Sequence, residues 1–172
     1  MPPRAVLIGL PGVGKSTVGA RLARQLAVPF ADSDQLVIER AGRSVTEIFT
    51  EDGEPAFREL EAAAILAALA DFDGVLALGG GAVTTAAVRD ALADSTVPVV
   101  LLTAGEAELL RRIGLSRHRP LLAEDPPRQL AELVRTRAAI FRQLAGITVE
   151  TAGRPVDAVV RVLHQQLTKE RA

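Results

Sequence analysis

The sequence has 172 residues, 48% of them apolar and 24% charged, which suits one soluble globular domain with a continuous core. A net charge of −1 argues against a general nucleic-acid or membrane binder, and the absence of cysteine excludes disulfides and thiolate zinc sites. No apolar run approaches the ~18 residues of a bilayer span and the start lacks a signal-peptide pattern, so a cytoplasmic protein is expected.

Ala5–Ile8 reads as a short buried strand, followed at once by a glycine-rich loop and a helical pattern in which Val18, Leu22 and Leu26 share a face with Ala23. Pro29, Phe30 and Ala31 supply a second strand ending at Asp32. Leu36–Arg40 predicts a brief helix closed by Gly42, and Ser44 with Glu47 forms a capping box for the next. Glu54–Ala70 is a longer, alanine-rich helix with Pro55 in its first turn, where a missing N–H costs little. Val75–Leu78 is a strand candidate that runs into Gly79, Gly80 and Gly81. Further on come a helix over Ala86–Ala93, a strand over Val97–Leu102, and helices over Glu106–Ile113 and Arg128–Leu144. A last strand, Ile147–Glu150, and a last helix, Val156–Leu167, complete the chain. Strands alternating with helices predict one α/β domain over residues 1–172, with a parallel sheet covered on both faces. Residues 114–127 read as the only long irregular segment, and loops of that length are usually functional or mobile.

The strongest motif is Gly9-Leu10-Pro11-Gly12-Val13-Gly14-Lys15-Ser16, a phosphate-binding loop between a strand and a helix. Backbone N–H groups at Gly12, Val13, Gly14 and onward to Thr17 can cradle phosphates at the helix N-terminus. Lys15 can reach the β- and γ-phosphates, and the Ser16 hydroxyl can ligate Mg²⁺ beside ATP. Of 20 basic residues only Lys15 and Lys169 are lysine, so a compact ammonium inside this loop is a specific choice.

Charge is unevenly spread: residues 28–73 hold eleven acids against three bases, and residues 111–142 hold eight arginines against three acids. Asp32 and Asp34, two apart after the second strand, read as projecting from one side of an extended chain. One could serve the metal and the other could deprotonate an acceptor hydroxyl. Arg58 and Glu61 are spaced to pair on one helical face, and the bare backbone of residues 79–81 admits a close-lying substrate. Taken singly, these also fit loop aspartates, a surface ion pair and a flexible turn. The arginines around residues 114–127 suit stabilisation of a transferring phosphoryl group better than nucleic acid, since tyrosine and tryptophan are absent.

In order and spacing these motifs resemble the shikimate kinase family over nearly the whole chain. The resemblance rests on the phosphate loop, Phe30-x-Asp32-x-Asp34, Phe49-x₃-Gly53-Glu54-x₂-Phe57-Arg58-x₂-Glu61, Gly79-Gly80-Gly81-Ala82-Val83, Arg119-Pro120-Leu121-Leu122 and Arg137. It implies a P-loop fold of nucleoside-monophosphate-kinase type, a five-stranded parallel sheet with a substrate-binding segment at about 33–61 and a lid at about 114–127. It further implies a monomer that transfers the ATP γ-phosphate to the 3-hydroxyl of shikimate. By the same resemblance Asp34 holds the ring hydroxyls and acts as base, while Asp32 and Ser16 serve magnesium. Arg58 and Arg137 grip the shikimate carboxylate with help from Gly79, Gly80 and Gly81, and Glu61 holds Arg58. Arg119, rather than Arg117, matches the lid arginine, and Arg112 and Pro155 match the adenine pocket. Phe141 stands where the family commonly has tyrosine.

Overall fold

Short apolar runs, each leading into a helix, assemble into a wholly parallel sheet. The computed structural model describes residues 1–114 and 125–169. Its strands are β1 (Ala5–Ile8), β2 (Phe30–Asp32), β3 (Val75–Ala77), β4 (Val99–Thr103) and β5 (Ile147–Glu150), in the spatial order β2-β3-β1-β4-β5. The helices are α1 (Lys15–Leu26), α2 (Ser33–Ala41), α3 (Val45–Glu51), α4 (Gly53–Ala70), α5 (Ala86–Asp94), α6 (Glu106–Gly114), α7 (Pro126–Leu144) and α8 (Val156–Lys169).

Alternation along the strands sorts the core into two layers. Ala5 and Leu7 of β1, with Val100 and Leu102 of β4, pack towards Val18 and Leu22 of α1 and Val160 and Leu163 of α8. Val6 and Ile8, with Val99 and Leu101, face Ile65 of α4, Val88 of α5 and Phe141 of α7. A third cluster joins Val37, Ile48, Phe57 and Ala64, so α2 and α3 dock on α4 as a small unit over the β2 side. Phe49 and Phe57 meet within it, ring centroids 4.7 Å apart.

Several boundaries differ from the sequence reading, each for a local reason. β4 begins at Val99 because Pro98 has no N–H for the ladder, although its carbonyl accepts from Val6 N. α7 begins at Pro126 because Asp125 caps the Arg128 N–H and both prolines fit the first turn. α2 begins at Ser33, three residues before the predicted start, because Asp32 is its N-cap and accepts from Asp34 N at 3.0 Å. Asp32 and Asp34 are therefore a cap and a first-turn residue, which corrects the expectation of an extended chain. The Ser44–Glu47 capping box forms as predicted.

Candidate active site

All five strands end at one edge of the sheet, and the chain reverses its winding at β1, where an open α/β sheet places its ligands. The loop after β1 takes positive φ at Gly12 (85°) and Gly14 (101°), a region costly for residues with a Cβ. Gly14 caps α1 without a side chain, and no acid occupies the first helical turn. The positive end of α1 is thus left for an external anion. Lys15 Nζ lies across the loop and donates to the carbonyls of Gly9 (2.8 Å) and Leu10 (3.1 Å). A cavity of about 380 Å³ opens here, lined by residues 12–18 with Arg112, Thr151, Arg154, Val156 and Val159. Pro155 does not line it, but its neighbours on both sides do.

Ser16 Oγ donates to Asp32 Oδ2 at 2.7 Å, bringing together the two residues assigned to the metal side. A hydroxyl beside a carboxylate is the hard-oxygen pairing that Mg²⁺ accepts when it keeps several waters and phosphate oxygens. Among the described residues there is no group of three or more His, Cys, Asp or Glu side chains able to form an all-protein metal cage.

The glycines after β3 are the hub of the other half. A Cβ on Gly79 would stand 2.6 Å from Glu61 Oε1 and 3.1 Å from Asp34 Oδ1. One on Gly80 would press on Pro11 of the phosphate loop at 3.1 Å, and one on Gly81 would run into the Arg58 guanidinium. The Gly80 carbonyl also accepts from Arg137 Nη1 at 2.9 Å. This bare backbone is the stretch expected to admit a substrate. In the structure the protein's own side chains use it first, converging Asp34, Arg58, Glu61 and Arg137 from three helices.

The Arg58–Glu61 pair is no surface ion pair. Glu61 is 1% exposed and accepts from Arg58 Nη1 at 2.5 Å, while Glu54 Oε1 takes Arg58 Nη2 at 3.1 Å. Burial raises the Glu61 carboxyl to about 7, and Asp34 adds to that rise, whereas Arg58 and Ser33 oppose it. Burial and the nearby Arg58 charge both lower the pKa of Arg137. Two guanidiniums held close at partial burial form a site that an incoming carboxylate would stabilise.

Two buried hydroxyls join the residues expected from sequence. Ser33 is fully buried, and its Oγ accepts from Gly79 N at 2.8 Å and lies 3.5 Å from Glu61 Oε1. Its position between the two aspartates was the available signal. Thr151 bonds the phosphate loop, the end of β4 and Arg112, and nothing local marks it. The expectations for Arg117 and Arg119 lie outside the described residues.

Through the glycines after β3 the phosphate loop meets a cluster of Asp34, Arg58, Glu61 and Arg137. A family model described as shikimate kinase matches residues 11–168. The chain belongs to the shikimate kinase family. The shikimate kinase of Mycobacterium marinum is 49% identical over 97% of this chain and 90% of its own length. That of Saccharopolyspora erythraea is 47% identical over 100% and 98%. Among solved structures, shikimate kinase from Acinetobacter baumannii in complex with shikimate matches with a TM-score of 0.91 and 32% identity, over 99% of this chain and 94% of that one. A gluconokinase from Sinorhizobium meliloti shares the fold at a TM-score of 0.63 and 23% identity. Membership makes this an ATP-dependent kinase, and the five-stranded parallel sheet is that of the P-loop kinases.

Proposed function

We propose that this kinase transfers the γ-phosphoryl group of ATP to the 3-hydroxyl of shikimate, giving shikimate 3-phosphate and ADP on the route to aromatic amino acids. The observation that carries the reading is the convergence of Arg58, Glu61, Asp34 and Arg137 on residues 79–81, directly against Pro11 of the phosphate loop. Such a cluster suits a small acid bearing hydroxyls, and it lies where that acid would meet a γ-phosphate.

In this reading the amides of residues 12–17 and the Lys15 ammonium hold the β- and γ-phosphates, and Arg112 and the Pro155 segment border the adenine. Ser16 and Asp32 would hold Mg²⁺, which would neutralise phosphate charge when bound. Arg58 and Arg137 grip the shikimate carboxylate, Glu61 fixes Arg58, and the backbone of residues 79–81 limits how the ring can sit. Asp34 takes the proton from the 3-hydroxyl while its oxygen bonds to the γ-phosphorus and the bond to the bridging oxygen breaks, releasing ADP. Arg119 from the lid, at about residues 114–127, stabilises charge on the moving phosphoryl group. The protein acts as a cytoplasmic monomer. In support, the large apolar side chains exposed among the described residues are Met1 and Leu66, and no described helix is long and apolar enough to cross a membrane.

ADP formation measured with shikimate, gluconate and nucleoside monophosphates supplied separately tests the assignment. Turnover with shikimate alone is expected. Turnover without shikimate, or a preference for gluconate, would overturn it.

A further inference from the structure

We propose that Thr151 is a positioning residue for the nucleotide, locking Arg112 against the phosphate loop so that its guanidinium meets the cavity with a fixed flat face. This rests on the reading above, in which Arg112 borders the adenine.

Arg112 is bonded through all three of its nitrogens. Nε donates to Glu108 Oε1 at 2.6 Å, Nη1 to Val13 O and to Thr151 Oγ1, both at 3.2 Å, and Nη2 to Thr151 O at 3.4 Å. Guanidinium N–H bonds lie in the plane of the group. A guanidinium held along its rim therefore offers other molecules its face, the surface on which an aromatic base stacks. Arg112 and Thr151 both line the cavity beside residues 12–18.

Thr151 is the joint of this arrangement. It is 5% exposed and follows β5, and its N–H donates to Thr103 O at 2.8 Å, anchoring it to the end of β4. Its hydroxyl lies 3.0 Å from Thr103 O and 3.2 Å from Val13 O, so its one proton stays within these two carbonyls while its lone pair accepts from Arg112. One buried hydroxyl thus ties together β4, β5, the phosphate loop and α6. Val13 O is shared by Thr151 and Arg112, so a shift of either would reach the loop. Glu108 holds the opposite edge of the rim, its own pKa brought down to about 2 by Arg111 and Arg112.

Thr151→Val keeps the shape and removes the hydroxyl, and Thr151→Ser restores it. In the full chain, Thr151→Val is expected to raise the calorimetric Kd and the KM for ATP about tenfold, with the shikimate KM unchanged within about twofold. Thr151→Ser should recover most of that loss. Arg112→Ala should weaken ATP at least as much, and the double variant should bind no worse than Arg112→Ala alone, since Thr151 acts through Arg112. Wild-type ATP affinity in Thr151→Val beside a weakened Arg112→Ala would overturn this proposal and leave the function standing. Additive losses in the double variant would overturn it too. Normal ATP affinity in Arg112→Ala would remove the adenine role of Arg112, and this proposal with it. If Thr151→Val does not fold, Thr151→Ala and Glu108→Gln take its place, because either loosens the rim. Unchanged ATP affinity in both would then defeat the idea.

Discussion

Burial and the Arg58 partner act on Glu61 in opposite directions, and burial wins, raising its carboxyl from about 4.5 to about 7. An acid whose pKa is higher in the folded chain keeps its proton longer when folded, so its contribution favours folding most at low pH. For Glu61 that contribution is full below about 4.5, declines as the pH rises, and is lost above about 7. The difference in unfolding free energy between wild type and Glu61→Gln should therefore move against the wild type across this window. Urea titrations followed by circular dichroism can measure it, since the chain has no tryptophan or tyrosine to report by fluorescence. A flat difference would show that Glu61 titrates as an ordinary carboxylate. The clamp makes a separate prediction. Arg58→Ala or Arg137→Ala should each weaken shikimate binding by about 1.5–3 kcal/mol, roughly 10- to 150-fold in Kd. Asp34→Asn should chiefly lower kcat. Unchanged shikimate affinity in both arginine variants would sink the clamp.

At the scale of elements, the run after β3 is a junction between the two halves of the site, and its glycines meet different partners. Gly81→Ala would push its methyl into the Arg58 guanidinium, whereas Gly80 faces Pro11. Steady-state kinetics of Gly81→Ala should give a raised shikimate KM, by about tenfold or more, with the ATP KM little changed. Equal increases for both substrates would point instead to general disruption of the edge. α3 is short and owes its start to a complete capping box, with Ser44 N to Glu47 Oε2 at 2.6 Å and Glu47 N to Ser44 Oγ at 3.2 Å. Ser44→Ala should cost about 1 kcal/mol in chemical unfolding. That loss should leave kcat near wild type, because both bonds of the box are made within residues 44–47.

For the whole molecule, the central strand β1 is packed from both layers, so the two cores should unfold together. Ile65, fully buried between α4 and the sheet, makes a suitable probe. Ile65→Ala should destabilise by about 2–5 kcal/mol while retaining one cooperative transition. Two separated transitions would mean that the layers fold independently. The division between sequence and tertiary structure follows from how far apart the partners lie. The phosphate loop, the Ser44 box and the Arg58–Glu61 spacing are contiguous or one helical turn apart, so backbone geometry alone makes them readable. The order of strands and helices was readable too, because apolar periodicity is local; starts governed by Pro98, Asp32 and Asp125 slipped, and other ends, such as those of β3 and α8, moved as well because fraying ends carry no sharp local signal. The burial of Glu61, the hold of Ser33 on Gly79 and the bond from Arg137 to Gly80 were not readable. Ser33 and Gly79 are 46 residues apart, Arg137 and Gly80 are 57 apart, and Thr151 and Val13 are 138 apart. By itself the sequence determined the phosphate-loop motif and the alternating architecture. Only the sheet order, with β1 between β3 and β4, decided which groups meet, because interleaved parallel strands bring distant strand ends to one edge.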